Sequence, residues 1–141
     1  MTRPRLLALT VQQPFAWAIC HAGKNLENRT WSPPASLLGH DIAIHAGKQI
    51  SSGTAIGDLA VACGVRPDIL TKVRSAIVAV VRLDRVTNTR ENAWYFGPLA
   101  WVFSQVRVLP DPITCRGSMG LWSIPAEVHQ LVLDQVSPLF P

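Results

Sequence analysis

Residues 76–86 constrain this chain more than any other segment, because Ile77-Val78-Ala79-Val80-Val81 is its clearest strand. Four of those five side chains are β-branched, which stiffens χ1 and favours the extended backbone. Apolar–polar alternation carries the strand on through Arg82, Leu83, Asp84 and Arg85. Such a strand needs neighbours, and other runs supply them. Residues 6–11 read as a short buried strand, 25–31 as a second, and 41–45 as a third that Ala46-Gly47-Lys48 should break. Residues 99–109 form another, and 120–124 a last short one. Pro14 suits the first turn of a helix running to about Ala22 and stopping at Gly23, with Phe15, Ala18, Ile19 and Ala22 on its core face. Residues 54–63 make a helix with Ile56, Leu59, Ala60 and Cys63 on one side, and 67–74 a shorter one. Pro125 opens a C-terminal helix with Val128, Leu131, Val132 and Gln135 on one side. This order predicts an α+β fold, a mixed barrel of five or six strands with two or three peripheral helices. A doubly wound sheet would require regular strand–helix alternation, which is absent. With 141 residues and no linker, repeat or low-complexity tract, the chain is expected to be one domain over 1–141.

Composition narrows the partners. A hydrophobic fraction of 48% permits a substantial core and excludes the low-hydrophobicity, high-charge pattern of disorder. Thirteen basic residues against nine acidic give a modest net charge of +4. Ten of the thirteen are arginine, the residue suited to forked phosphate recognition and to stacking on bases. That balance favours nucleic acid over a membrane surface. Cys20, Cys63 and Cys115 are odd in number and widely spaced, so neither a disulfide framework nor a zinc knuckle is supported. His21, His40, His45 and His129 lack metal-site spacing, and there is no phosphate-binding loop or dinucleotide fingerprint. Arg3 and Arg5 before Leu6-Leu7-Ala8-Leu9 mimic a signal peptide, but Gln12, Gln13 and Pro14 interrupt the apolar run too early for an export core. No span approaches a transmembrane helix. The expectation is a cytoplasmic protein with reduced thiols, no metal, no cofactor and no membrane partner.

Function concentrates in Gly23-Lys24-Asn25-Leu26-Glu27-Asn28-Arg29-Thr30-Trp31, a charged segment in a chain only 16% charged. Extended, it places Asn25, Glu27, Arg29 and Trp31 on one face and Lys24, Leu26 and Asn28 on the other. Acid, base and aromatic on one face line a polar cleft rather than fill a core. Lys24 lies just past a helix end, where it serves either as a cap or as a phosphate contact or general acid/base. Glu27 and Arg29 form an ion pair, a base-reading pair, or both, since an Arg-ordered carboxylate accepts from an exocyclic amine.

Several of these segments together resemble the ASCH (activating signal cointegrator homology) domain, a family of small PUA-like pseudo-barrels. The resemblance is carried by Ala8-Leu9-Thr10-Val11-Gln12-Gln13-Pro14-Phe15-Ala16, by Gly23-Lys24 with Glu27 and Arg29, and by Ile44-His45-Ala46-Gly47-Lys48. Ile77-Val78-Ala79-Val80-Val81 is similar to the family's central strand. Gly97-Pro98-Leu99-Ala100-Trp101, Cys115-Arg116-Gly117 and Gly120-Leu121-Trp122 are similar to its C-terminal strands. The resemblance spans nearly the whole chain, from Arg5 to Pro125. It implies a PUA-like mixed β-pseudo-barrel that binds RNA or DNA where the first helix meets the barrel. Some members are ribonucleases, and others are amidohydrolases that deacylate modified cytidine with a threonine three residues after the motif lysine. Here that position is Glu27, and a carboxylate is no substitute for a hydroxyl nucleophile.

The leading expectation is a domain that recognises single-stranded or modified nucleic acid, RNA before DNA. Its candidate binding residues are Gln13, Trp17, Lys24, Glu27, Arg29, Trp31, His45, Lys48, Trp94, Tyr95 and Arg116. Lys48 and Arg116 hold phosphates, and the loop aromatics Trp94, Tyr95 and Phe96 offer a stacking surface. Trp101 and Trp122 are the expected core tryptophans. The second expectation is a metal-independent hydrolase, ribonuclease or amidohydrolase, with Lys24, Glu27 and His45 as general acid/base groups. The third is a protein-interaction module.

Overall fold

The computed structural model describes residues 5–139. Its elements are β1 (Leu7–Gln13), α1 (Phe15–His21), β2 (Leu26–Arg29), a 3-10 turn (Ala35–Leu37), β3 (His40–Ile50), α2 (Ala55–Cys63), α3 (Pro67–Thr71), β4 (Ala76–Thr87), β5 (Leu99–Thr114), β6 (Leu121–Ser123) and α4 (Ala126–Leu139). The six strands form one sheet in the order β2-β5-β4-β3-β1-β6, so the apolar run at 76–86 lies centrally, as its composition predicts. β1 and β3 pair in parallel and every other neighbour is antiparallel. This is an α+β fold with, among the described residues, four α-helices rather than two or three.

Both faces of the central strands are covered. Leu9, Val11, Ile42, Ile44, Val81, Leu83, Trp101 and Phe103 fill one cluster with Ala16 and Ile19 of α1. Alternate residues Ala8, Ala43, Ile77 and Val80 turn to a second cluster, closed by Ile124 and by Val132 of α4. α4 contacts that cluster through Val128, Val132 and Val136, whereas Leu131 is 51% exposed, so the helix lies rotated from the face read in the sequence. Trp101 is fully buried, but Trp122 only partly.

Two strands run further than their punctuation suggests. β3 continues through Ala46-Gly47-Lys48 to Ile50 because Gly47 permits close approach rather than a break. A Cβ there would stand 3.0 Å from Thr10 Cγ2, on the neighbouring strand. β5 continues past Pro110 and Pro112 because its pairing with β4 skips from Val108 to Ile113, a bulge in which no ladder hydrogen bond is required of a proline.

The path of β2 matters most. From β1 the chain forms α1, leaves it at Gly23 (φ +71°), crosses to the far edge beside β5, and returns to β3 beside β1. The sheet curls until these edges face one another: Arg29 Nη2 on β2 donates to the carbonyl of Thr10 on β1 at 2.6 Å, and Trp31 lies against Gly120 just before β6. Side chains rather than a strand ladder close the barrel, leaving a seam.

Gln13 braces the opposite end of β1. Its amide donates to the Val73 carbonyl at 2.7 Å, and its side-chain oxygen accepts from the Trp17 backbone N–H at 2.8 Å. Gln13→Leu should leave both groups unpaired and lower unfolding free energy in urea by about 1–3 kcal/mol. An unchanged midpoint would show that the brace is dispensable.

Candidate nucleic-acid interface

The seam opens into a cleft of about 1240 Å³, walled by the ends of β1, β2 and β3 and by the segment 114–120. Its floor is ionic. Lys24 is 2% exposed, yet its Nζ reaches the cleft wall, donating to Glu27 Oε1 at 3.0 Å and to the Leu26 carbonyl. Glu27 Oε2 accepts from Arg29 Nη2 at 3.1 Å, and the same nitrogen holds Thr10 across the seam. Phe15 lies under the ammonium, 5.4 Å from ring centroid to Nζ. Burial pushes the Lys24 pKa down from 10.5, opposed by the Glu27 charge and hydrogen bond, with Arg29 lowering it further. Among the described residues, Arg29 Nε is the buried side-chain polar atom left without a partner.

The face assignment of 23–31 is partly borne out. Glu27, Arg29 and Trp31 line the cleft together. Asn25 does not: its Oδ1 accepts from Asn92 on the exterior. Lys24 sits before the strand begins, so period-two alternation does not govern it. The turn at Gly23, where the Lys24 amide returns to the Ala18 carbonyl, folds its side chain back over Glu27.

His45 enters from β3 and is 2% exposed. Its Nε2 lies 2.7 Å from the Cys115 carbonyl, which requires a proton on that nitrogen, and its Nδ1 lies 3.3 Å from Thr10 Oγ1. Trp122 packs edge-on to the ring at 5.2 Å and donates its indole N–H to the same hydroxyl. Thr10 Oγ1 also donates to the Ser118 carbonyl at 3.0 Å. Burial pushes the His45 pKa below 6.5, against the raising effect of the Cys115 carbonyl. Nε2 is thus committed to the Cys115 carbonyl, while Nδ1 and the Ser118 carbonyl share one hydroxyl proton, and the imidazole packs against the 115–120 segment. Gly117 shows how tightly: a Cβ there would fall 2.5 Å from His45 Cε1.

The family model for the ASCH domain matches residues 9–98, most of the chain, from within β1 up to the start of β5. The chain belongs to the ASCH domain family. Solved ASCH structures from Zymomonas mobilis share its fold. The ASCH protein itself is 15% identical at a TM-score of 0.56, covering 92% of this chain and 94% of that one. A serine-to-alanine mutant is 14% identical at 0.55, covering 92% and 95%. A tyrosine-to-phenylalanine mutant is 14% identical at 0.55, covering 93% and 98%. No curated protein matches the chain.

Of the residues singled out in the sequence, this ASCH cleft gathers Lys24, Glu27, Arg29, Trp31, His45, Lys48 and Arg116. Lys48 and Arg116 are exposed at its edge. Gln13 and Trp17 line a separate cavity of about 340 Å³ with Cys20, whose thiol burial pushes its pKa up to about 12. Trp94 and Tyr95 are not among the cleft residues. The Tyr95 hydroxyl is tied to the Asn88 and Pro98 carbonyls, and Phe96 takes the cleft position instead. Thr10, Asn28 and Met119 also line the cleft: alternation puts Asn28 on the opposite face, Thr10 carries no role beyond its place in the motif, and Met119 has no charge pattern to mark it. Among the described residues no helix is long and apolar enough to cross a membrane, and no group of His, Cys, Asp or Glu is arranged to hold a metal ion.

Gly117→Ala should force Cβ into His45 and destabilise the fold by about 1–3 kcal/mol, with the 115–120 amide resonances shifting most; unchanged spectra would refute the contact. The depressed Lys24 pKa gives a second expectation. The unfolded chain binds a proton there that the native state sheds, so stability rises with pH over the interval from the native pKa up to 10.5. The unfolding free energy of wild type minus that of Lys24→Met should climb as pH rises through that interval toward 10.5. A flat difference would mean that burial does not perturb the amine.

Proposed function

We propose that this ASCH domain recognises single-stranded nucleic acid, RNA before DNA, in the seam cleft. The observation carrying this reading is the concentration of charge. Lys24, Arg29, Lys48 and Arg116 meet one carboxylate, Glu27, so the cleft holds a formal +3 of the chain's +4. The rest of the molecule is close to neutral, and a polyanion is drawn to this one place. Exposed Lys48 and Arg116 suit phosphate contacts, while the ordered Glu27–Arg29 pair presents an acceptor and a donor to a base edge. RNA binding is also the activity to which ASCH domains are generally linked.

Anisotropy of a labelled single-stranded oligoribonucleotide across a salt series tests this. Affinity should fall steeply with salt, and Lys48→Ala and Arg116→Ala should each reduce the slope by about one. Salt-insensitive binding, or none to any oligonucleotide, would sink the proposal.

A second reading, hydrolysis of RNA or of an acylated nucleoside in the same cleft, draws on the lowered pKa of Lys24 beside Glu27. It requires turnover that persists in EDTA and disappears in Lys24→Ala and Glu27→Gln. Activity that is lost as purification proceeds would belong to a contaminant.

A further inference from the structure

We infer that Phe96 and Met119 are the two lips of the cleft and grip an unpaired nucleobase by its faces, while the base's polar edge meets Glu27 and Arg29. This rests on the nucleic-acid reading above and adds the ring-binding element, which no charged residue supplies.

Both residues line the cleft and both are strongly solvated, Phe96 at 81% and Met119 at 96% exposure. Leaving a phenylalanine in water forgoes most of the stabilisation its burial would bring. Its exposure is nevertheless built in. Asn28, on the strand that carries Glu27 and Arg29, accepts from the backbone N–H of Phe96 at 2.8 Å and of Gly97 at 3.1 Å. The Asn28 amide donates to the Trp94 carbonyl at 3.0 Å. Three hydrogen bonds from one side chain therefore hold the loop backbone while the Phe96 ring stands free. The neighbouring Tyr95 is tied down by its hydroxyl, and of the three loop aromatics it is Phe96 that is exposed and lines the cleft.

Met119 comes from the 114–120 segment that walls the same cleft. Thr10 holds Ser118 by its carbonyl, and Gly120 lies over Trp31, so the backbone on both sides of Met119 is anchored. An unbranched thioether adapts to rings of different size and makes favourable sulfur–aromatic contacts.

The ligand that satisfies this combination has apolar faces, a polar edge and anionic flanks. An aliphatic chain lacks the polar edge, and a phenyl side chain lacks both edge and charge. A base within a duplex has its faces stacked and its edge paired. An unpaired base carries all three features, with Lys48 and Arg116 placed for its phosphates. Stacking is tolerant of base identity, because every base has a π-face.

The test measures binding of a labelled single-stranded oligoribonucleotide to wild type, Phe96→Ala, Met119→Ala and Phe96→Trp, with melting curves to confirm folding. Phe96→Ala should weaken binding roughly 5- to 150-fold and Met119→Ala about two- to tenfold. Phe96→Trp should bind like wild type, its added fluorescence being quenched by the strand. An oligonucleotide with abasic positions should bind weakly to wild type and no more weakly to Phe96→Ala, so the two losses are not additive. Equal affinity for a mononucleotide would also support the lips, assigning the base to a free nucleotide rather than a strand. Wild-type binding unchanged by Phe96→Ala and Met119→Ala would overturn the lips and leave the nucleic-acid reading standing. Absence of binding to every oligonucleotide would remove both. Self-association in sedimentation that Phe96→Ala abolishes would overturn the inference in favour of a protein interface.

Discussion

The Arg29 guanidinium, bonded through one nitrogen to Glu27 Oε2 and to the Thr10 carbonyl, ties together the two ends of the sheet. β2 and β6 are edge strands, and among the described residues no backbone ladder joins them. An unclosed edge leaves peptide groups unpaired and exposed to adventitious strand addition. Here a charged side chain takes the carbonyl that a strand would otherwise have to reach, and charge-assisted bonds of this kind contribute about 1.5–3 kcal/mol each. Glu27, held by Lys24 from the other side, keeps the guanidinium in register. A buried ion chain is a weak source of net stability but expensive to break, because whichever partner remains is left charged and unpaired. The same three residues that close the barrel therefore form the floor of its cleft.

Thr10 is the second junction. Its backbone carbonyl receives Arg29 of β2, and its hydroxyl joins His45, Trp122 and Ser118, so one residue on β1 connects β2, β3, β6 and the 115–120 segment. A hydroxyl has one proton and two lone pairs, and its orientation sets which partner it serves. With His45 neutral, Nδ1 competes with the Ser118 carbonyl for that proton. The histidine thus bears on the geometry of the cleft rim through the Cys115 carbonyl and the Thr10 hydroxyl. Gly117 is required by the same packing, since its backbone passes where any Cβ would strike the imidazole.

What was legible in the sequence follows the range of the interactions involved. The central strand, the end of α1 at Gly23 and the shared face of Glu27, Arg29 and Trp31 depend on near neighbours, and each was readable from β-branching, turn chemistry or alternation. Gly47 misled because a glycine that breaks a strand and one that admits a neighbouring strand look alike until the neighbour is known. Pro110 and Pro112 misled because a bulge in the pairing, not the proline itself, decides whether a ladder bond is missing. Among Trp94, Tyr95 and Phe96 no local rule selects the outward ring. That choice was made by the Tyr95 hydroxyl finding two carbonyls and by Asn28 pinning the turn from a strand far away in the chain. Gln13, marked by its place in the motif, proved to brace Trp17 and Val73 away from the cleft.

By itself the sequence determined the order and type of the elements, though not where β3 and β5 end, and the charge shared by Glu27 and Arg29 on one face, because periodicity, capping and β-branching act within a few residues. It also marked the family, through short motifs whose spacing is local. The tertiary structure alone decided that Lys24, His45, Lys48 and Arg116 share one cleft and that Gln13 and Trp17 do not. The reason is the curl of the sheet: the crossover that sends β2 to the far edge, and the twist that brings it back against β1, are properties of six strands packed together.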